Sequence, residues 1–304
     1  MDRSDLTLER MRTFVRVAER GSLSAVARES GLGQSTVTRH LRELEAAVGA
    51  PLLSRTTRRM TLTDEGARFY ASALQILRLV EQAADEVSDH RGANAGTVRL
   101  STTSALGILH ITPLIFAFQD RYPDIQVELG LTDERIDLVR EGVDIAIRLG
   151  PLDNSSMKLR ALGSSQRLLV ASPAYLASRG TPASPDDLIG HDSIRMSNVI
   201  GSDVLLLDGP DGVRHAIPVT GRLRVDHGLA ARAAVVAGRG IVSAHRWMVD
   251  DLLVTGTVVP VLPDHRPVAV PLNLLMVPGR SDVARVRRLI DYLVDAIATL
   301  PGIA

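Results

Sequence analysis

The chain has no cysteine in 304 residues, which excludes disulfides, thiolate zinc sites, cysteine nucleophiles and cysteine-based redox sensing. It also lacks a long apolar run. No stretch approaches the roughly 18 apolar residues of a membrane helix, and the opening Met1-Asp-Arg-Ser-Asp5 carries no apolar export segment. A cytoplasmic chain with no membrane contact is the expectation. Lysine is nearly missing, Lys158 being the only one. The basic side chains are therefore arginines, which suit bidentate contact with phosphate and guanine, although so uniform a bias also fits genomic base composition. An excess of one charge sign is absent too: 35 basic and 35 acidic residues give a formal net charge of zero. Any nucleic-acid footprint must then be local.

What is present reads as a folded, multi-domain chain. Apolar residues make up 45% and charged residues 23%, and the length exceeds a single compact core. Between Arg28 and Met60 a local basic footprint exists: Arg28, Arg39, Arg42, Arg55, Arg58 and Arg59 stand against Glu29, Glu43 and Glu45. The helical spacing of Leu8, Met11, Val15 and Ala18 predicts a helix over 8–20 that stops at Gly21. Ser22 or Ser24 can cap a second helix ending at Ser30, Gly31 breaks it, and a third helix is expected over 34–48. Two helices joined by so short a turn need a small residue at the crossing, a flexible turn and an apolar anchor; Ala27, Gly31 and Val37 fit, with Val26, Leu32, Leu41 and Leu44 completing a core. An ordinary helical hairpin satisfies the same spacing.

Beyond the third helix, Pro51 to Thr63 reads as a short β-hairpin, a wing carrying Arg55, Arg58 and Arg59. Thr63 with Asp64 and Glu65 predicts the capped start of a long helix to about His90. Along it Phe69, Ala73, Ile76, Val80, Ala83 and Val87 alternate by four and three, the seam of a pairing helix. Tyr70, Leu74, Leu77 and Ala84 form an adjacent stripe, which an ordinary core helix would also show. Domains are expected at 1–64, a winged helix-turn-helix; 65–91, a dimerising linker helix; and 92–304, with one lobe at about 97–166 and 271–304 and another at about 167–270.

Small residues at 91–96 form a linker. After it, strands expected at 97–101, 125–131 and 144–149 alternate with helices expected at 108–121 and 133–141, which reads as a parallel, doubly wound α/β lobe. The second lobe is read from a strand at 167–171, helices near 173–178 and 185–189, a hairpin around Asp208-Gly-Pro-Asp-Gly212, a strand at 223–225, a helix at 229–237 and a strand at 241–244. A strand at 272–277 and a helix at 283–298 return to the first lobe. Two such lobes place a cleft between strand ends. Ser101, Thr102, Thr103 and Ser104 follow the first strand and face a helix start, and Thr132 sits at a comparable junction; hydroxyls before helices also serve simply as caps.

These residues together resemble the LysR-type transcriptional regulators across essentially the whole chain. The likeness is carried by Gly21-Ser-Leu-Ser-Ala-Val-Ala27, Leu32-Gly-Gln-Ser-Thr-Val-Thr-Arg-His-Leu41, Leu44-Glu45, Gly49, Pro51-Leu52, Arg55 and Leu62-Thr63. In the other half it is carried by Arg121-Tyr-Pro-Asp124, Asp137-Leu-Val-Arg-Glu-Gly-Val-Asp-Ile-Ala-Ile-Arg148, Ala171-Ser-Pro-Ala-Tyr175 and Ala237-Gly-Arg-Gly-Ile241. Gly33, Ser35, Leu53, Asp226-His227 and the non-aromatic 272–277 depart from the family pattern.

The resemblance implies a winged helix-turn-helix and linker helix followed by a two-lobed, periplasmic-binding-protein-like α/β effector domain. The third helix would enter the major groove, with Gln34, Thr38 and Arg42 on the base-reading face and Ser22, Ser24, Ser35, Thr36 and Arg39 around it. It implies a small-molecule effector, a homodimer or dimer of dimers, a partly palindromic double-stranded operator and contact with RNA polymerase; no cofactor and no metal are expected, and the polar residues converging on one cleft suggest a small organic anion as the effector. The resemblance adds Arg148, Ser197, Asn198 and His227 to the cleft, though Arg148 can equally pair with Asp144 or Asp153. An enzyme has little support: no Gly-x-Ser-x-Gly elbow, no Gly-x-Gly-x-x-Gly after a strand and no histidine pair at metal-helix spacing is present. A plain solute-binding protein would not carry the N-terminal helices.

Overall fold

The computed structural model describes residues 6–55, 60–88, 95–151, 157–199 and 201–304, without the side chains at 55, 82 and 84–88. Arg58 and Arg59, the side chains of Arg55 and Val87, linker residues 91–94 and Asp153 fall outside the described residues. The chain divides into two compact units, Met1–Arg91 with Arg140–Gly142, and Gly92–Val139 with Val143–Ala304.

The first unit is helical. Thr7 Oγ1 accepts from the Arg10 N–H to cap α1 (Leu8–Arg20), and Ser22 Oγ accepts from the Ala25 N–H to cap α2 (Leu23–Ser30). Gly31 takes a left-handed φ of 64° between α2 and α3 (Gln34–Val48), a conformation that favours glycine. Val26, Val37, Leu41 and Leu44 are buried with Phe14 and Val17 in one core. Strands β1 (Leu53–Arg55) and β2 (Met60–Leu62) pair antiparallel as the wing's stem. Thr63 Oγ1 accepts from the Gly66 N–H at 2.9 Å at the start of α4 (Asp64–Ser88). Gly66 is obligatory, because a Cβ there would lie 1.9 Å from Leu52 O.

In the second unit the chain runs β3 (Gly96–Thr102), α5 (Ser104–Leu106), a π-helical turn (Gly107–Ile111), α6 (Thr112–Arg121), β4 (Ile125–Leu131) and β5 (Ile145–Leu149). Then come β6 (Lys158–Ser165), β7 (Arg167–Ala171), α7 (Pro173–Arg179), a 3₁₀ turn (Pro185–Gly190), β8 (Arg195–Met196), β9 (Val204–Asp208), β10 (Arg214–Pro218) and β11 (Arg224–Val225). The rest is α8 (Gly228–Val236), β12 (Val242–His245), α9 (Arg246–Val254), β13 (Val259–Val261), β14 (Arg266–Pro267), β15 (Val270–Met276) and α10 (Ala284–Ile297). Lobe I holds a sheet in the order β4-β3-β5-β15-β6; lobe II holds the sheets β12-β7-β13, β10-β9-β14 and β11-β8. The lobes are joined twice, where β6 runs into β7 and where β14 runs into β15. One apolar cluster crosses the junction, with Leu100, Ile145 and Ile147 from lobe I and Val170, Ala244 and Trp247 from lobe II.

Four expectations need correction. Residues 133–141 are not a helix: Thr132 Oγ1 accepts from the Glu134 N–H at 3.1 Å and Asp137 Oδ1 from the Val139 N–H at 3.0 Å, turns that compete with helical bonding. The lobe I sheet is mixed, since β15 runs antiparallel to both β5 and β6. The helix expected from Ile108 already starts at Ser104 and passes through the π turn, which accommodates a helix interrupted by Pro113, a residue with no N–H to give. Strand β6 and helix α9 are additions; β6 lacks the strict alternation by which a strand is read.

Candidate nucleic-acid interface and candidate effector site

Helix α3 divides cleanly by exposure. Val37, His40, Leu41, Leu44 and Ala47 turn inward, while Gln34, Ser35, Arg39 and Arg42 are exposed and Thr36 and Thr38 are half-buried. Thr38 Oγ1 donates to Gln34 O at 2.9 Å. Arg39 stands 4.0 Å from Glu43 across one helical turn, a weak surface pair. Glu43 sits closer to Arg10, at 2.7 Å. Gly33 gives α3 no side-chain cap, and Ser22 and Ser24 meet at 3.1 Å at the start of α2. Two supporting residues, present in the motifs quoted above, were given no role from the sequence. His40 packs 3.1 Å from Thr13 on the buried side. Glu45, counted above as a charge against the basic window, accepts from the Leu52 and Leu53 N–H groups at 2.8 and 3.2 Å and ties α3 to the wing.

The seam of α4 splits into two parts. Ala73 is fully buried and Phe69 packs with Tyr70 on Phe14, at ring distances of 5.6 and 6.4 Å, so these positions serve the unit's own core. From Ile76 onward the character changes: Ile76 and Leu79 are 38% and 57% exposed, Ala83 is exposed and Val80 half-buried. Leu79 belonged to neither stripe read from the sequence.

In the lobed unit the polar run lies at the end of β3 beside Arg148. Arg148 Nη2 donates to Ser101 Oγ at 2.7 Å and Nη1 to Ile147 O at 3.1 Å. Burial lowers the pKa of this guanidinium and the charge of Asp133 opposes that shift. The Thr102 and Thr103 hydroxyls are buried without a hydrogen-bond partner. Asp133, which sequence reasoning passed over, is central: Oδ1 accepts from the Ser104 N–H at 3.0 Å, and Oδ2 lies 3.9 Å from Nε2 of His227 across the lobe junction. His227 Nδ1 accepts from the Leu229 N–H and so caps α8. Helices α5 and α8 approach closely here, a Cβ on Gly228 falling 3.1 Å from that of Ala105. Asn198 Nδ2 donates to Asp226 O at 2.9 Å, and Ser197 beside it is exposed. Thr132 is spent on its own turn. The pairing of Arg148 with Asp144 is not formed; Asp144 accepts from the Arg99 N–H at 2.8 Å, and burial raises its pKa. Among the described residues, no cluster of three or more His, Asp or Glu could hold a metal, and no helix is long and apolar enough to cross a membrane.

An exposed helix face bearing glutamine and arginine beside a β-hairpin stem, and a lobed unit that gathers Arg148, Ser101, Asp133 and His227 near the lobe junction, fit a DNA-binding regulator with an effector domain. Comparison with known proteins places it more closely. Residues 8–67 match the bacterial regulatory helix-turn-helix protein of the lysR family, and residues 91–298 match the LysR substrate binding domain. An HTH-type transcriptional regulator of Xanthomonas campestris pv. campestris (strain 8004) is 35% identical over 289 residues, covering 93% of this chain and 83% of that protein. The HTH-type transcriptional regulator DmlR of Escherichia coli (strain K12) is 33% identical, with 94% of this chain and 93% of that protein covered. The full-length structure of the Vibrio cholerae virulence activator AphB superposes with a TM-score of 0.67 at 28% identity, over 95% of this chain and 99% of that one. The chain belongs to the LysR family of transcriptional regulators, and it is a regulator rather than an enzyme.

Proposed function

We propose that this regulator reads a partly palindromic double-stranded operator as a homodimer or dimer of dimers in the cytoplasm, and that a small organic anion at the lobe junction controls it. The exposed stripe of α3 carries the first half of this reading. Gln34 suits the adenine edge and Arg42 the guanine edge, with Arg39, Ser22, Ser24 and the wing arginines on phosphate. The exposed apolar residues of α4 beyond Ile76 supply the surface on which two copies pair. Half-buried Arg148, held by one serine hydroxyl beside two unpartnered threonine hydroxyls, carries the second half, because a desolvated guanidinium gains most from a carboxylate. The Asp133–His227 approach gives the anion something to compete with. Its binding then shifts the dimers between arrangements that differ in affinity for it and in contact with RNA polymerase.

The test is a mobility shift with the region upstream of the chain's own gene, with and without a panel of small carboxylates. A sequence-specific shift that a carboxylate alters is expected, with Arg148→Ala keeping the shift and losing the alteration. No shift from folded, dimeric protein would overturn the reading.

A further inference from the structure

The lobed unit contains, besides Arg148, another half-buried arginine to which no described residue offers a counter-charge. Arg167 opens β7 at the first crossing between the lobes, and its Nε donates to Val268 O, at the second crossing, at 2.8 Å. The side chain thus ties the two connections together. Among the described residues it has no other hydrogen bond, and no carboxylate comes within ion-pair distance of it. Asp208 and Asp264 border a separate cavity on which Arg167 also opens, but Asp208 is taken by Arg214 at 2.7 Å. Burial lowers the pKa of Arg167 with no opposing charge, and its own charge helps depress that of the adjacent His245. Arg148, by contrast, has Ser101 and Asp133.

Arg167 lines a partly open chamber of about 360 Å³ where lobe II meets the crossing segments, bordered also by Pro151, Val270 and Pro271 of lobe I, within the roughly 300–1,000 Å³ range of small-molecule sites. The walls are apolar: Leu169, Leu188, Ile194, Leu205, Val219 and Ile241. The chamber's remaining polar atoms include Ser243 Oγ and Arg195 Nε, both buried without a hydrogen-bond partner. None of Ser101–Ser104, Thr132, Arg148, Ser197, Asn198 or His227 lines it. A neutral apolar guest would leave the half-buried guanidinium without an anion, and a small hydrated anion would leave the apolar walls uncovered.

We infer that this chamber binds an amphipathic monocarboxylate, its apolar body against Leu169, Leu188 and Ile241 and its carboxylate on the terminal amino groups of Arg167. Because Arg167 holds both crossing segments, occupancy bears directly on the connection between the lobes.

Trp247, the only tryptophan, reports on the site: it stacks on His245 at 5.2 Å, and His245 is the cross-strand partner of Arg167. Full-length protein is titrated with octanoate, octanol and acetate while Trp247 emission and the thermal midpoint are followed. A saturable response to octanoate is expected, with octanol and acetate at least tenfold weaker. Arg167→Gln should weaken octanoate at least tenfold without changing octanol. Ser243→Leu fills the chamber and should abolish both; replacing an unpaired buried hydroxyl costs little stability, so this variant serves if Arg167→Gln unfolds. No response to octanoate, equal affinity for octanol, or full octanoate affinity in either folded variant would overturn the proposal.

Discussion

The two units use the same residue for opposite purposes. On α3, Arg39 and Arg42 stand in water, with at most a 4.0 Å approach to a carboxylate. In the lobed unit Arg148 and Arg167 are partly desolvated, and burial depresses the pKa of both. An exposed guanidinium suits a polyanion that brings its own counterions and releases them on binding, so its contribution is steeply salt-dependent. A desolvated one suits a single small anion and is screened far less by salt. On the proposed reading, one residue type in two dielectric settings serves DNA contact in one unit and anion binding in the other.

The comparison breaks most severely if the surface that presents the exposed arginines loses its frame. Gly66→Ala puts a Cβ into Leu52 O and should cost the first unit about 3 kcal/mol. Urea unfolding followed by far-ultraviolet dichroism reads this loss, while the response of the lobed unit to carboxylates should survive. Arg42→Ala should cost roughly 1–3 kcal/mol at one operator base pair, read by anisotropy titration against single-base variants of the operator.

The desolvated side has its own signature in His245, buried against Arg167 and held 2.8 Å from Ser165 Oγ, which also accepts from Trp247 Nε1 at 2.9 Å. Burial, aided by the Arg167 charge, pushes its pKa from 6.5 down to about 3. The folded protein therefore binds this proton only near pH 3, whereas the unfolded chain binds it below about pH 6.5. The contribution to stability is complete above pH 6.5 and declines as the pH falls toward 3, amounting to about 2 kcal/mol lost by pH 5. His245→Gln should flatten that part of the stability profile; an unchanged slope would remove His245 from the account. The smallest effect is expected from Arg39→Ala, which should lower the salt slope of DNA binding by about one unit and weaken all sequences alike.

The first unit was almost wholly legible in the sequence because its determinants are local. Caps at Ser22 and Thr63, breakers at Gly21 and Gly31, and the inward positions Val37, Leu41 and Leu44 are all read from neighbours in the chain, whereas the Thr7 cap of α1 was not. The lobed unit was legible in its strands and less so in its site. Arg148 and Ser101 lie 47 positions apart and meet because β3 and β5 pair in parallel; family resemblance put Arg148 at the cleft, but neither it nor spacing named this contact. Asp133 was hidden inside a segment read as a helix, and the chamber at Arg167 depends on two crossings about a hundred positions apart that no local pattern records. Leu79 shows the same limit on a smaller scale, being an apolar residue whose exposure becomes visible only once α1 has claimed the other side of α4.

The most direct measurement is selection of operator sequences from a randomised pool by the wild-type protein and by Gln34→Ala at equal occupancy. The account predicts a recovered consensus in which the variant relaxes at one adenine-bearing position in each half-site and keeps the rest. An identical consensus from both proteins would contradict the assignment of α3 as the surface that reads the bases.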